Sequence, residues 1–266
     1  MIAFPNAKIN IGLNILRKRA DGFHDIESLF YPIKLCDVLE IVKSEEFEFT
    51  TSGIEIPGDS TSNLCVKAFQ LIQQSYKIGN AKIHLRKVIP MGAGLGGGSA
   101  DAAFCINMLN SLFELDIPLQ RRLDYATQLG SDCTFFIENK AAIATGRGEV
   151  LTPFQLDLSG KWIGLVNPNI YVGTAEAYQG AIIDEQKQDL KNTLSETVDN
   201  WKGNVINAFE QSVFLKHPQL DEVKNKLYDM GAEYASMTGS GSTVFGIFAN
   251  EPRFEFDSFF TWKLKI

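Results

Sequence analysis

Histidine, cysteine and tryptophan are scarce in this chain of 266 residues, which contains three, four and three of them respectively. The histidines at positions 24, 84 and 217 form no HxxxH or HExxH pair. The sequence therefore disfavours a metal hydrolase and predicts no resident metal site. The cysteines form no CxxC pair, which argues against a zinc ribbon or a redox pair. We expect them to be reduced and mostly buried.

Long apolar runs and an excess of positive charge are also absent. No run reaches the roughly 20 apolar residues of a membrane-spanning helix, and the first residues lack the pattern of a secretory signal. The net charge of −7 argues against a protein that neutralises many phosphates of a nucleic acid. The sequence thus predicts a cytoplasmic protein without a membrane or nucleic-acid partner, and leaves monomer and homodimer both open.

What is present indicates a globular chain, because 45% of the residues are hydrophobic and 21% are charged. Apolar residues at positions 9, 11, 13 and 15 alternate with polar ones, which predicts a strand in which Lys8 and Asn10 point the same way. Strand and helix patterns are interspersed without regular βαβ alternation, which favours an α+β fold with largely antiparallel sheets. Pro153 and Ser159-Gly160 suggest two domains, 1–154 with the phosphate loop and 155–266.

Individual elements follow from hydrophobic periodicity and from turn residues. Predicted helices cover 63–76, 99–113, 118–129 and 220–230, and the polar segment Asp184–Lys202 is interpreted as a solvated helix or mobile loop. Predicted strands are Ile26–Ile33, Val38–Val42, Glu46–Thr50, Ala81–Ile89, Ala141–Ala144, Trp162–Val166, Ala232–Met237 and Val244–Phe248.

A glycine-rich loop lies between a predicted strand and a predicted helix. Its five glycines remove the Cβ atoms that would keep the backbone away from a phosphate, and the free amides at a helix start favour an anion. No Lys-Ser/Thr follows the last glycine, so this is not a Walker A loop. It predicts a cradle for the phosphates of ATP, with a plain flexible turn as the alternative. Its members are Pro90, Met91, Gly92, Ala93, Gly94, Leu95, Gly96, Gly97, Gly98 and Ser99, the last either capping the helix or reaching the phosphate.

Lys8 and Asp132 are the candidate catalytic residues. Taken alone, Lys8 could be an exposed charge on an edge strand, and Asp132 could be a helix cap. Beside a phosphate loop they acquire a joint role, because a kinase needs a carboxylate for the attacking hydroxyl and a cation for the developing charge. Cys133 has no histidine nearby in the sequence, so we interpret it as a buried structural thiol rather than a nucleophile.

A second loop, Thr238-Gly239-Ser240-Gly241-Ser242, joins two predicted strands and could by itself be a β-turn. Together with the first loop it predicts that the two converge on one site. The segments Pro5–Asn10, Pro90–Ala100 and Met237–Ser242, in this order, resemble the three motifs of the GHMP kinases.

Further likeness narrows the resemblance to members that phosphorylate the 2-hydroxyl of 4-diphosphocytidyl-2-C-methyl-D-erythritol in non-mevalonate isoprenoid synthesis. The segments that carry this likeness are Arg19–His24, Asn63–Ala68 and Leu129–Cys133. The likeness extends over nearly the whole chain. The resemblance implies an N-terminal domain like domain 2 of ribosomal protein S5 and a ferredoxin-like C-terminal domain. It also implies ATP and Mg²⁺ as cofactors, Asp132 as base and Lys8 as its partner.

For the cytidine diphosphate substrate, the resemblance implies that His24 hydrogen-bonds the cytosine edge while Phe23 stacks on the ring, where the family often has tyrosine. Tyr171 is the candidate for the opposite wall, with Tyr178 as its competitor. The other predicted substrate contacts are Asn10, Thr174, Gly239 and Ser240, and the predicted adenine contacts are Asn63 and Lys67. Two alternatives stay open: a GHMP kinase for another alcohol such as homoserine or a sugar, and a catalytically silent nucleotide-binding module.

Overall fold

The computed structural model describes residues 1–184 and 189–266. Its helices, numbered in chain order, are α1 (Leu64–Tyr76), α2 (Gly97–Leu112), α3 (Leu119–Leu129), α4 (Cys133–Glu138), α5 (Thr174–Gln179), α6 (Leu190–Leu194), α7 (Glu210–Lys216) and α8 (Pro218–Asp229). Its strands are β1 (Ile2–Ala3), β2 (Asn6–Lys18), β3 (His24–Cys36), β4 (Val38–Ser44), β5 (Glu48–Gly53), β6 (Asn80–Lys87), β7 (Ala142–Thr145), β8 (Val150–Pro153), β9 (Trp162–Asn167), β10 (Ala232–Met237), β11 (Val244–Phe248) and β12 (Phe260–Lys265).

One compact unit contains Met1–Lys8, Pro32–Met91 and Gly96–Lys140. Its sheet has the strand order β1-β4-β6-β5, with β5 parallel to β6 and the other pairs antiparallel. Strands β4 and β6 bury every second residue, as expected for a sheet with one covered face. Helix α2 packs against α1, α3, α4 and β4, and most of its side chains are buried. The helix that starts at the glycine loop is therefore the central element of this unit.

The other unit contains Ile9–Tyr31, Gly92–Leu95 and Ala141–Ile266. It holds the sheet β10-β11-β9-β12 and most of the sheet β2-β3-β7-β8, whose strands β2 and β3 each have one end in the first unit. Helix α8 packs on β10 and β11, and its buried stripe of Leu220, Val223 and Leu227 belongs to a hydrophobic cluster of the unit. The stripe has the three- and four-residue spacing of one helix face, which explains why this helix could be predicted from the sequence.

The α+β prediction with largely antiparallel sheets agrees with these elements. Strands β10 and β11 have the predicted bounds, and β9 extends its prediction by one residue. Strand β12 was not predicted, although its residues alternate between half-buried and exposed positions. The division into domains 1–154 and 155–266 stays a prediction. Within the described residues, no helix is both long enough and apolar enough to cross a membrane.

The prediction of a solvated segment at Asp184–Lys202 is wrong for four of its apolar residues. Leu190 and Leu194 of α6 are buried, as is Val198, and Trp201 is buried with its ring edge-on to Tyr234 at 5.6 Å. A few large apolar side chains anchor an otherwise charged segment, because their burial stabilises the fold whatever the average polarity around them. Residues 185–188 of this segment lie outside the described part of the chain.

Candidate active site

Lys8 and Asp132 meet in the first unit, where Lys8 Nζ lies 3.4 Å from Asp132 Oδ2. The lysine side chain is 4% exposed, whereas the aspartate side chain is 34% exposed. Lys8 is thus not an exposed edge charge. Asp132 stands at the N-cap position of α4, but its side chain makes no capping hydrogen bond. The carboxylate therefore faces a buried ammonium on one side and is open to solvent, which is how a base for an incoming hydroxyl should be placed.

Helix α2 begins at Gly97, and Gly96 is its N-cap with a φ of +70°. A side chain at Gly96 would be strained at this φ, and its Cβ would lie only 3.0 Å from the Phe136 ring and 3.2 Å from Lys8 Cε. The prediction that Ser99 caps the helix is wrong, because Ser99 is the third helical residue. The first amides of α2 have no carbonyl acceptor within the helix, so this end of α2 suits an anion.

Gly98 is the open position of this helix start. A Cβ built there has no neighbour within 4 Å, whereas a Cβ at Gly97 would lie 2.9 Å from Lys87 Nζ and 3.0 Å from Ile89 Cγ2. The absence of a side chain thus has a different consequence at each of these two glycines. Gly97 is pressed against the protein, and Gly98 leaves space at the surface of the helix start.

A buried ionic cluster lies beneath α2. Lys87 falls on the buried face of β6, and its Nζ contacts Asp37 Oδ2 at 2.5 Å and Asp101 Oδ2 at 2.7 Å. The other Asp37 oxygen accepts hydrogen bonds from the amides of Val88 and Ile89. Asp101 Oδ1 is buried without a hydrogen-bond partner among the described residues. Burial, followed by the charge of Asp37, raises the pKa of Asp101 to about 7, although Lys87 opposes the shift.

In the second unit, the two glycine-containing loops meet at Thr238. Its hydroxyl donates to the carbonyl oxygen of Gly94 at 3.0 Å and accepts from the amide of Asn10 at 2.9 Å. Gly94 has a φ of +76°, and a Cβ there would overlap the carbonyl oxygen of Thr238. The two loops are therefore in contact, through a close backbone approach that only glycine permits. Their convergence on one ligand site stays a prediction.

Two buried asparagines surround this junction. Asn207 Nδ2 donates to the carbonyl oxygens of Met237 at 2.7 Å and Gly239 at 2.8 Å, which holds the Thr238 loop from behind. Asn10 Nδ2 donates to Ser28 Oγ at 2.8 Å. Asn10 is thus fixed in orientation by its neighbours, and its predicted contact with the acceptor stays a prediction.

The Phe23-His24 segment lies at the tip of the hairpin formed by β2 and β3. The ring of His24 stacks on Tyr178, with centroids 4.8 Å apart and an interplanar angle of 16°. Phe23 is 54% exposed. The structure thus pairs His24 with Tyr178, while Tyr171, the first choice for the opposite wall, is 78% exposed and lies beside Gly92. Substrate contacts for Phe23, His24 and Tyr171 stay predictions.

The other predicted contacts are spread over both units. In the second unit, Thr174 Oγ1 lies 3.5 Å from the Oγ atom of Ser240. Ser240 follows Gly239 directly in the chain. In the first unit, Asn63 caps α1 by accepting from the amide of Cys65, and Lys67 is exposed on the same helix. The Asn63 side chain thus has a structural role, and adenine contacts for Asn63 and Lys67 stay predictions.

Cys133 next to the candidate base is unsuited to nucleophilic chemistry. Its side chain is fully buried, and burial is the first cause that raises the pKa of its thiol to about 11. Because only the thiolate is a good nucleophile, the interpretation of Cys133 as a structural thiol agrees with its surroundings.

Sequence reasoning missed Asn207, and it named Thr238 only as part of the second loop and Tyr178 only as the competitor of Tyr171. Thr238 had a signal, since it opens the second Gly-Ser loop. Asn207 had no such signal, because its contacts depend on a distant segment that packs against it. The stack of Tyr178 on His24 likewise depends on tertiary packing.

Two family models match the chain, the N-terminal domain of GHMP kinases over residues 63–140 and the C-terminal domain of GHMP kinases over residues 187–256. A 4-diphosphocytidyl-2-C-methyl-D-erythritol kinase from Cytophaga hutchinsonii is 48% identical over 95% of this chain and 94% of its own length. The kinase of the same name from Bacteroides fragilis is 46% identical over 95% and 94%.

A solved structure leads to the same group. The crystal structure of a 4-(cytidine 5'-diphospho)-2C-methyl-D-erythritol kinase superimposes with a TM-score of 0.80 and 31% identity, covering 93% of this chain and 90% of that one. The predicted two-domain fold of these enzymes, with mixed helices and sheets, is confirmed. The chain belongs to the GHMP kinase family, in the branch of the 4-diphosphocytidyl-2-C-methyl-D-erythritol kinases.

Proposed function

We propose that this kinase transfers the γ-phosphate of ATP to the 2-hydroxyl of 4-diphosphocytidyl-2-C-methyl-D-erythritol, with Asp132 as base and Lys8 as its cation. The observation that carries the proposal is the buried Lys8 ammonium 3.4 Å from a solvent-open carboxylate. The names and identities of the relatives support this substrate over homoserine, a sugar or a catalytically silent module.

The reaction requires one proton transfer and one phosphoryl transfer. Asp132 accepts a hydrogen bond from the substrate hydroxyl and takes its proton as the bond from that oxygen to the γ-phosphorus forms. The bond between the γ-phosphorus and the β,γ-bridging oxygen breaks, and ADP leaves. Lys8 lies beside the Asp132 carboxylate and offsets negative charge on the transferring group. Neither residue needs to form a covalent intermediate.

The phosphates of ATP are assigned to the glycine loop and the start of α2. The open surface at Gly98 fits this assignment, because a phosphate can approach the backbone where no side chain intervenes. Mg²⁺ would enter with the nucleotide and be held chiefly by its phosphates, as is usual for this ion.

The cytidine end is assigned to the second unit. Phe23 offers an aromatic face, and His24 is held by its stack on Tyr178 so that its ring nitrogens can read the polar edge of cytosine. Asn10, Thr174, Gly239 and Ser240 are assigned to the remainder of the substrate. We place the reaction in isoprenoid precursor synthesis in the cytoplasm, with the enzyme as a monomer or homodimer.

In the deciding experiment, purified enzyme is incubated with ATP, Mg²⁺ and the cytidine substrate, and in separate reactions with homoserine or mevalonate. Mass spectrometry and phosphorus NMR then identify the product and the oxygen that carries the new phosphate. We expect phosphorylation of the cytidine substrate at the 2-hydroxyl, with far lower efficiency for the competitors. Equal or greater efficiency with a competitor would remove the substrate assignment, and no ADP formation with any alcohol would favour a silent module.

A further inference from the structure

Arg147 lies over the aromatic ring that the proposed function assigns to the base. Its guanidinium carbon is 5.0 Å from the centroid of the Phe23 ring, within the range of a cation–π contact. The contact covers one side of a ring that otherwise stands more than half exposed at a hairpin tip. An unsupported phenylalanine in such a place would lose side-chain entropy on fixing its ring for a ligand.

The position of Arg147 is itself fixed by local structure. It lies in the turn between β7 and β8, where Gly146 has a φ of +67° and accepts a hydrogen bond from the amide of Ile26 at 2.8 Å. The Arg147 amide donates to Glu149 Oε2 at 2.6 Å, and its Nε lies 3.7 Å from Glu149 Oε1. The turn is thus hydrogen-bonded to β3, the strand that follows Phe23. Glu149 contacts both the amide and the guanidinium of Arg147.

The Phe23 tip is also held through its backbone. The amide of Phe23 donates to Asp21 Oδ1 at 3.1 Å, and its carbonyl oxygen accepts from the amide of Arg19 at 2.8 Å. These bonds act on the main chain of the tip and not on the Phe23 ring. The guanidinium is the group that contacts the ring itself.

We propose that Arg147 is a positioning residue for base recognition, which backs one face of Phe23 so that the opposite face is held ready for the cytosine ring. The proposal rests on the proposed function, since it assigns the free face of Phe23 to that base. Arg147 acts through Phe23 and needs no contact with the substrate. One face of the Phe23 ring can make a cation–π contact with the guanidinium while the other face stacks on the base.

The test is a double-mutant cycle read out by ligand binding without ATP. The probes are cytidine and cytidine 5'-diphosphate, and calorimetry or ligand-observed NMR gives each Kd for wild type, Arg147→Met, Phe23→Ala and the double variant. We expect Arg147→Met to raise the Kd of both probes by about two- to fivefold, as a cation–π contact at an exposed site implies. In the Phe23→Ala background the same change should have no further effect. Arg147→Lys should restore part of the affinity.

Arg121 provides a matched control, because its guanidinium lies 4.7 Å from the centroid of the Tyr125 ring in the other unit. Arg121→Met should leave both Kd values unchanged, and the KM for ATP should be unchanged in every Arg147 variant. Arg147→Met could instead lower the affinity for cytidine 5'-diphosphate alone, and do so equally in the Phe23→Ala background. That result would overturn the proposal in favour of a direct contact between Arg147 and the diphosphate. Unchanged binding in Arg147→Met would overturn it too. Failure of the wild type to bind either probe would instead contradict the proposed function.

Discussion

Lys8 Nζ and Asp132 Oδ2 are 3.4 Å apart, with the lysine side chain sealed from solvent and the aspartate open to it. The asymmetry matters because an ammonium shielded from water interacts more strongly with a neighbouring charge than an exposed one does. The pair therefore holds a carboxylate that is open to solvent, as the proposed role of Asp132 as base requires.

Asp132→Asn should lower turnover by about 10²–10⁴-fold, the usual range for the loss of a general base, with ATP affinity little changed. The amide keeps the shape of the side chain but cannot take the proton. Steady-state kinetics and calorimetric titration with ATP provide the measurement. Asp124→Asn, at an exposed position on α3, is the matched control. Near wild-type turnover of a folded Asp132→Asn protein would return Asp132 to a merely structural role.

Gly98→Ala should weaken ATP binding without destabilising the unliganded enzyme. The added methyl has no protein neighbour within 4 Å, so only a bound phosphate would meet it. Thermal unfolding without ligand and calorimetry with ATP separate the two effects. Gly79→Ala also adds a methyl in open space, and there ATP affinity should stay at the wild-type value. Unchanged ATP affinity in Gly98→Ala would argue against the phosphate cradle.

Gly97→Val should impair both the stability of the unliganded enzyme and its binding of ATP. The reason is that even its Cβ would press on Lys87 Nζ and Ile89. Thermal unfolding without ligand should show a clear loss, because overpacking a tight contact typically costs about 1–3 kcal/mol. A Gly97→Val protein with wild-type thermal stability would contradict the tight contact.

His24→Leu should raise the KM for the cytidine substrate and leave the KM for ATP nearly unchanged. Leucine leaves polar groups of the base unpaired, at a cost of about 1–3 kcal/mol, and also removes the stack on Tyr178. Phe23→Ala should give a similar selective loss, and Phe23→Tyr should be tolerated. His84→Leu, in the other unit, serves as the control, and kinetics with each substrate varied in turn are the measurement. Equal weakening toward ATP would exclude the Phe23-His24 segment as the base-reading element.

Asp101→Asn should change how stability depends on pH. The pKa of Asp101 is raised to about 7, while an aspartate in the unfolded chain titrates near about 3.9. Between these values the folded protein holds more protons at this position than the unfolded chain does. The contribution of Asp101 to stability therefore falls as the pH rises through that window.

Asparagine does not titrate, so the Tm of Asp101→Asn relative to wild type should rise from pH 5 to pH 8. Thermal unfolding at several pH values measures the difference, and Asp124→Asn is again the control. Removing one partner of Lys87 costs stability at every pH, so the trend with pH is the diagnostic quantity. A Tm difference that does not change with pH would contradict the raised pKa.

Local sequence patterns by themselves determined the central helices, the bounds of β10 and β11, the glycine-rich loop and the family motifs. These features depend on neighbours in the chain. Hydrophobic periodicity selects a helix or strand, and consecutive glycines mark a backbone that must approach something closely. Lys8 and Asp132 could also be chosen by chemical type, because a phosphoryl transfer needs a base and a cation.

Only the tertiary structure decided which side chains these patterns bring together. It buried Lys8 against Asp132, joined Gly94 to Thr238, stacked His24 on Tyr178 and placed Arg147 over Phe23. It also buried Leu190, Leu194 and Trp201 in a segment whose charge had indicated exposure. Each of these contacts joins residues brought together by the packing of whole elements, and burial and pairing depend on that packing rather than on local preference.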